Sequence, residues 1–375
     1  MFFNKALLYI PEIVFFTAIV AQVIYFTVYL IAFSRKRNNT PSTSSLPVSV
    51  IICAHDEDHN LKELIPLLLT QDYPEFEVII VDDRSNDSTF DYLLEETKKD
   101  HRLRMVHVNR TPPHVNGKKY ALTLGIKAAR YDWILLTDAD CRPHNQNWIK
   151  SMGVHMKEET QFVIGSSPYL KRPGFLNVFI RFESLITAVQ YFSFALLGKP
   201  YMGVGRNLAY RKSMFLDVKG FHQFLPVTGG DDDLFVNQHA RKENTSIAMG
   251  VESLTYSVPK RRWVDFFYQK VRHLSVGKYY RGGNRLLLGL FSMSWLLSWF
   301  VGLPTLFISE IPYVILTALV FRIILLTATV HVAAKHLGYK FESWLAIVLD
   351  FIYAFYYLVT GLVALLSKKV RWKRN

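Results

Sequence analysis

Residues 11–33 (PEIVFFTAIVAQVIYFTVYLIAF) carry no charge after Glu12, and this run limits what the chain can fold into more than any other feature. As a helix it is long enough to cross a hydrocarbon core of about 30 Å. A cleaved secretory leader is the competing reading. Only Lys5 precedes the run, however, and SRKRNN follows it instead of a small-residue cleavage site. Residues 1–37 are therefore expected to form a transmembrane anchor, followed by a Ser/Thr/Pro-rich linker at 38–47. Three more apolar runs, at about 286–308, 312–334 and 344–366, predict C-terminal membrane helices within 286–367.

Charge and composition narrow the class. Half the residues are hydrophobic and 20% are charged, too apolar for a plain soluble domain and too charged for a pure transporter. Much of the net +13 flanks apolar runs: Arg35, Lys36 and Arg37 at one end, and Lys368, Lys369, Arg371, Lys373 and Arg374 in a basic tail at 368–375. Such clusters favour the cytoplasmic side and anionic headgroups. No basic stripe interleaved with aromatics is present, so no nucleic-acid partner is expected. Cys53 and Cys141 are the only cysteines, without CxxC spacing, which argues against a disulfide framework or a zinc site. If all four apolar runs cross and the middle is cytosolic, the basic tail falls outside, against the positive-inside bias. One resolution is that 286–308, interrupted by Gly302 and Pro304, is re-entrant or interfacial, leaving the tail in the cytosol.

Between Pro47 and about Pro259 strand and helix signals alternate. PVSVIICAH, FEVIIVDD, RMVHV and DWILLTDAD read as strands, and NLKELIPLLLTQ, STFDYLLEETKKD and KKYALTLGIKAAR as helices. The alternation predicts an α/β domain with a mostly parallel sheet, whose ligands collect at the carboxyl ends of the strands. A cytosolic domain over 47–262 follows, with 175–197 as an apolar helix at the membrane interface. An amphipathic interface segment, 263–285, contains WVDFFYQKVRHLSVGKYY.

Acids fall where strands end. Asp82 and Asp83 precede RSNDST; a carboxylate there can bind a base or ribose edge, or simply cap the turn. Asp138 and Asp140 in TDADC stand two apart at a strand end, where both can approach one hard divalent cation. Lys118, at a helix start after Gly117, suits a phosphate or a solvated helix end equally well. In GGDDDLF, Asp231, Asp232 and Asp233 open a helix; they can cap it, and their mutual repulsion raises the proton affinity of at least one, as a general base requires. Gln269 and Arg272 lie three apart on one helical face, beside His273, where a guanidinium can meet a diphosphate or a lipid headgroup.

In this order, VSVIICAHDE, VDDRSNDST, TDADC, GGDDD and QxxRH resemble the membrane-integrated family-2 inverting glycosyltransferases, which include hyaluronan, chitin and cellulose synthases and ceramide glucosyltransferase. The resemblance covers roughly residues 47–280 and implies a GT-A (Rossmann-like) domain that takes a nucleotide-sugar, a uridine one by expectation. It implies Glu57 and Asp83 in the nucleotide pocket, Lys118 and Arg272 at the diphosphate, and Asp138 with Asp140 holding Mg2+ or Mn2+. It also implies Asp231 as the base, Asp232 if the register shifts by one, Gln269 beside the reacting groups, and Asn207 with His273 on the acceptor side. Asp56 stands where the family commonly has Asn, and His273 replaces the Trp of Gln-x-x-Arg-Trp, which offers a smaller stacking surface. The resulting expectation is a multi-pass protein of the cytoplasmic membrane that moves one sugar onto a lipid or lipid-linked acceptor. A processive polysaccharide synthase is the alternative, and a non-catalytic membrane sensor with a retained fold the third reading.

Overall fold

A computed structural model describes residues 9–35, 46–113 and 115–367. Most of the expected linker, 38–45, and the basic tail, 368–375, lie outside the described residues. Helix α1 (Ile10–Ser34) leads into an alternating series: β1 (Val48–Ala54), α2 (Asp58–Leu69), β2 (Phe76–Asp82), α3 (Thr89–Glu96), β3 (Leu103–His107), α4 (Gly117–Ala128) and β4 (Trp133–Leu136). β1 pairs in parallel with β2 and β4, and β2 with β3. The middle strands are buried on both faces, which is why they read as continuous apolar runs.

Past β4 come β5 (Cys141–Pro143), α5 (Trp148–Gly153), β6 (Phe162–Ile164), α6 (Phe175–Leu196), β7 (Leu208–Arg211), α7 (Lys212–Asp217), α8 (Asp233–His239), β8 (Thr245–Ile247) and β9 (Thr255–Ser257). The main sheet has the order β3-β2-β1-β4-β7-β6-β8, and β5 pairs with β9 in a small antiparallel ribbon. The chain runs from β1 to β2 and β3 on one side, while β4 lies on the other. Strand order therefore reverses between β1 and β4, and a crevice opens at their carboxyl ends.

One sheet face, with Val50, Ile52 and Val78, packs on Leu61, Leu64 and Trp148 of α2 and α5. The other face, with Ile51, Ile79 and Val81, packs on α4, where a Cβ at Gly125 would stand 2.7 Å from Val81 and 2.8 Å from Ile51. This second core continues through Phe179 and Phe182 of α6 to Phe26 and Phe33 of α1. The remaining helices are α9 (Trp263–Val276), α10 (Gly282–Phe300), α11 (Gly302–Ile308), α12 (Pro312–Leu337) and α13 (Ala346–Leu366). Leu326 and Val330 of α12 and Tyr353 of α13 join the same core, so the sheet and the apolar helices share one interior.

Among the described residues, four helical stretches are long and apolar enough to cross a membrane: Ile10–Ser34, Gly282–Ile308, Pro312–Leu337 and Ser343–Leu366. The interruption expected at Gly302 and Pro304 is confined to one residue, Val301, between α10 and α11. Val301 keeps helical angles (φ −97°, ψ −43°), and Pro304 sits in the first turn of α11, where a missing N–H costs little. A buried polar network crosses this bundle. Arg322 of α12 and Asp350 of α13 form a fully buried, two-pronged ion pair. Trp299 Nε1 donates to Asp350 at 3.1 Å, Arg322 to Gln22 Oε1 at 3.3 Å, and Gln22 Nε2 to Ser294 Oγ at 2.8 Å. An isolated charge in hydrocarbon is costly, so these partners hold α1, α10, α12 and α13 in one arrangement.

Candidate active site

The crevice deepens into a cavity of about 1860 Å³ between the strand ends, α6, α9, α10 and α13. Glu57, Asp83, Lys118, Asp138, Asp140, Asp231, Asp232, Gln269, Arg272 and His273, all named from the sequence, line it.

Alternation along β2 separates the two acids at its end. Asp82 is fully buried and accepts from the His107 ring at 2.7 Å, so it belongs to the sheet. Asp83 turns into the cavity, and Arg84 Nε holds it at 2.8 Å. A Cβ at Gly117 would lie 3.2 Å from Asp83 and 2.9 Å from the tip of the Arg84 side chain, so the helix start packs closely over this pocket. Glu57 accepts from Asn60 at 2.6 Å at the rim. Asp56 takes a left-handed turn (φ +55°), and its side chain accepts from Asn86 N at 2.7 Å, bracing the loop after β2. The family's Asn is thus replaced by a residue that acts on the loop.

Lys118 Nζ lies 3.2 Å from Asp138 and 3.3 Å from Asp231. Burial disfavours its charge, but Asp138, Asp231 and Asp232 outweigh that and hold it well above the ordinary lysine value. Burial acts against the Asp231 charge as well, and Lys118 more than compensates, keeping that carboxyl below the usual range and ionised. Asp232 is raised by burial and by Asp231; its oxygens accept from Gly205 N and Asp233 N, both at 2.7 Å. Asp233, raised well above the usual range by burial and Asp232, accepts from Tyr280 Oη at 2.8 Å. Only Asp231 among the three keeps its carboxylate toward Lys118; the other two hold the backbone and α8 together.

Burial, then Asp138, raises Asp140, with Arg206, Lys260 and Lys118 opposing. Among the described residues no cluster of three or more His, Cys, Asp or Glu side chains forms a closed metal cage. Two strand-end carboxylates suit Mg2+ or Mn2+, which complete their shells with water and phosphate oxygens, and a bound cation would relieve the repulsion between them.

On α9, Gln269 Nε2 reaches Tyr169 Oη at 3.4 Å, while its Oε1 is buried without a partner. Arg206 stacks over the Tyr169 ring at 4.7 Å. Burial lowers the tendency of Arg206 to hold its proton, and Tyr169, Cys141 and the two strand-end acids reverse this, so it stays a fixed cation. Sequence reasoning missed Arg206, although it adjoins Asn207 in GVGRNLAYRKS. His273 is open to the cavity yet deep among protein atoms. Burial, then Arg272 and Lys270, keep its imidazole well below the ordinary histidine value and therefore neutral.

Asn207 departs from its expected place on the acceptor side. It is fully buried outside the cavity, donates to Ser166 O and Ser253 O at 2.7 Å each, and accepts from Trp148 Nε1 at 3.0 Å. With both ends of its amide occupied it braces the core, and Gly165 leaves it room, since a Cβ there would stand 2.6 Å from it.

A sheet that reverses at β1, with acids at three strand ends, defines a nucleotide-sugar transferase fold of the GT-A type. The profile of Glycosyl transferase family 2 matches residues 49–218, so the chain carries a family-2 glycosyltransferase domain. Poly-beta-1,6-N-acetyl-D-glucosamine synthase of Staphylococcus epidermidis is 35% identical over 95 residues, 25% of this chain and 21% of that protein. The probable glycosyltransferase YdaM of Bacillus subtilis is 26% identical over 220 residues, 56% of this chain and 48% of that one. The chain thus spans about a fifth and about half of the length of these two curated relatives. The mannosyltransferase PcManGT from Pyrobaculum calidifontis, solved with GDP-Man and Mn2+, shares the fold (TM-score 0.62, 17% identity, 97% of this chain and 100% of that chain covered).

Proposed function

We propose that the protein is an inverting glycosyltransferase that moves a sugar from a nucleoside-diphosphate donor, a uridine one by expectation, to a membrane lipid or lipid-linked acceptor. The carrying observation is that the cavity holding the acids continues between α10 and α13, past Leu288, Met293, Leu297, Leu358 and Leu362. An apolar slot beside the bilayer suits a lipid chain and poorly solvates a sugar polymer.

Glu57 and Asp83 bind the nucleoside, and Lys118, Arg206 and Arg272 meet the diphosphate. Asp138 and Asp140 would hold Mg2+ or Mn2+, which supplies charge neutralisation at the leaving diphosphate. The acceptor hydroxyl attacks the anomeric carbon as the bond to the diphosphate breaks, and Asp231 receives its proton. Gln269 presents its unpaired Oε1 to the reacting groups, and neutral His273 can accept a hydrogen bond from the acceptor. On this reading the chemistry lies at the cytosolic face of the cytoplasmic membrane, supported by the basic residues that flank the first apolar run.

The competing reading, a processive polysaccharide synthase, rests on the likeness to the Staphylococcus protein, which covers 25% of this chain. Isolated membranes supplied with a panel of labelled nucleotide-sugars decide between them. Label in the organic extract supports the lipid acceptor, and label in high-mass polymer overturns it.

A further inference from the structure

We infer that the acceptor is a phosphate-bearing lipid, its phosphate held by Lys278 and Arg285 and its chain lying along the slot between α10 and α13. This deepens the lipid-acceptor reading and rests on it.

Charge supports the headgroup. Of the cavity's other cations, Lys118 pairs with Asp138 and Asp231, Lys270 with Glu183 and Arg206 stacks on the Tyr169 ring, while Lys260, Arg262 and Arg272 lie just before or on α9, away from the start of α10. Lys278 and Arg285 also line the cavity, but among the described residues neither forms an ion pair with a carboxylate. Their hydrogen bonds go to neutral carbonyls, Lys278 to Ser367 at 3.5 Å and Arg285 to Lys278 at 3.1 Å. Lys278 also stands over the Tyr279 ring at 5.3 Å, and because neither cation faces a carboxylate, positive charge is left that an anion can satisfy. They stand where α10 begins and α13 ends, at the mouth of the slot.

The position fits the chemistry. Tyr280, two residues from Lys278, donates to Asp233 at 2.8 Å, and Val276 lies 3.3 Å from where a Cβ on Gly229 would be. The segment bearing the cations therefore runs along the acid loop, and a hydroxyl beyond the bound phosphate can approach Asp231.

The slot is kept open. Gly289 of α10 and Gly361 of α13 both line it; a Cβ at Gly289 would meet nothing within 4 Å, and one at Gly361 only the edge of Tyr357 at 3.9 Å. Neither glycine is required by positive φ, and each costs its helix about 1 kcal/mol relative to alanine. What they provide is room for a chain against the backbone. With an apolar wall and a cationic mouth, an anionic lipid is the occupant that complements both.

In the transfer, the lipid hydroxyl forms the new bond to the anomeric carbon and the nucleoside diphosphate leaves with its electron pair. The proton passes to Asp231, and the lipid phosphate is unchanged.

The test uses the full chain in phosphatidylcholine nanodiscs with two photoactivatable probes of equal chain length, phosphatidic acid and diacylglycerol. Crosslinks to α10 and α13 are counted by mass spectrometry. The expected result is a preference for phosphatidic acid on the order of tenfold or more, lost in Lys278→Gln/Arg285→Gln. Gly361→Leu, checked for folding by its thermal midpoint, should exclude both probes. Equal labelling by the two probes, or a preference untouched by the double substitution, overturns the proposal. Loss of the preference in 10 mM inorganic phosphate, with both probes still crosslinking to α10 and α13, also overturns it, assigning the cations to a soluble anion. Failure of the acceptor reading is separate: it shows as polymer in the donor panel.

Discussion

Asp231→Asn isolates proton removal. The side chain is buried, its carboxylate lies 3.3 Å from Lys118, and Lys118 keeps a second carboxylate, Asp138, at 3.2 Å when Asp231 loses its charge. The lysine is thus never left unpaired, and loss of one charged hydrogen bond costs about 2 kcal/mol of stability. An amide cannot take the acceptor's proton, so kcat should fall by about 10²- to 10⁴-fold, while the donor KM changes little because no donor contact is removed. The pH dependence carries a sign. Lys118 holds the Asp231 carboxyl low, so the base is ionised above that depressed value and activity falls only as pH drops through it. Lys118→Gln should move that acid limb to higher pH. The assay is transfer of labelled sugar in detergent, with nucleoside-diphosphate binding measured separately. Asp232→Asn is the control: its oxygens hold Gly205 N and Asp233 N, so it should lose stability before chemistry. A dead Asp232→Asn beside an active Asp231→Asn refutes the register.

Asp140→Asn should abolish Mn2+-dependent donor binding in titration calorimetry while leaving the thermal midpoint unchanged or higher, since it removes a buried charge that repels Asp138. Arg322→Leu should destabilise by about 3–5 kcal/mol by stranding Asp350, and Arg322→Leu/Asp350→Leu should recover most of it, read by apparent melting midpoints. Asn207→Ala should cost about 3 kcal/mol through orphaned Trp148 and carbonyl groups, with acceptor preference unchanged in a two-acceptor competition assay. At the end of the 343–366 stretch, Ser367 O accepts from Lys278, which lies just before α10. We therefore expect the tail, which follows Ser367, to share the cytosolic side with Lys278 and the start of α10. A single cysteine placed after Lys373, in a chain lacking Cys53 and Cys141, should resist an impermeant thiol reagent in intact cells.

Local pattern was enough for much of this protein. Apolar runs read as doubly buried strands because parallel strands hide both faces, and acids at their ends read as ligands because an unpaired carboxylate is costly inside a buried strand. Spacing on α9 likewise placed Gln269 and Arg272 on one face. Pairings between distant segments were not legible. By local pattern Asp82 and Asp83 are equivalent; the resemblance alone singled out Asp83, and contact with His107 is what makes Asp82 structural. Asn207 read as an acceptor residue, because nothing local shows that Trp148, Ser166 and Ser253 converge on its amide. Arg322 and Asp350 lay unremarked in apolar runs, and an ion pair 28 residues apart in sequence exists only once α12 and α13 pack. The slot between α10 and α13 has the same origin: side-chain period determines what each helix face is made of, but only tertiary packing decides which two faces leave a gap.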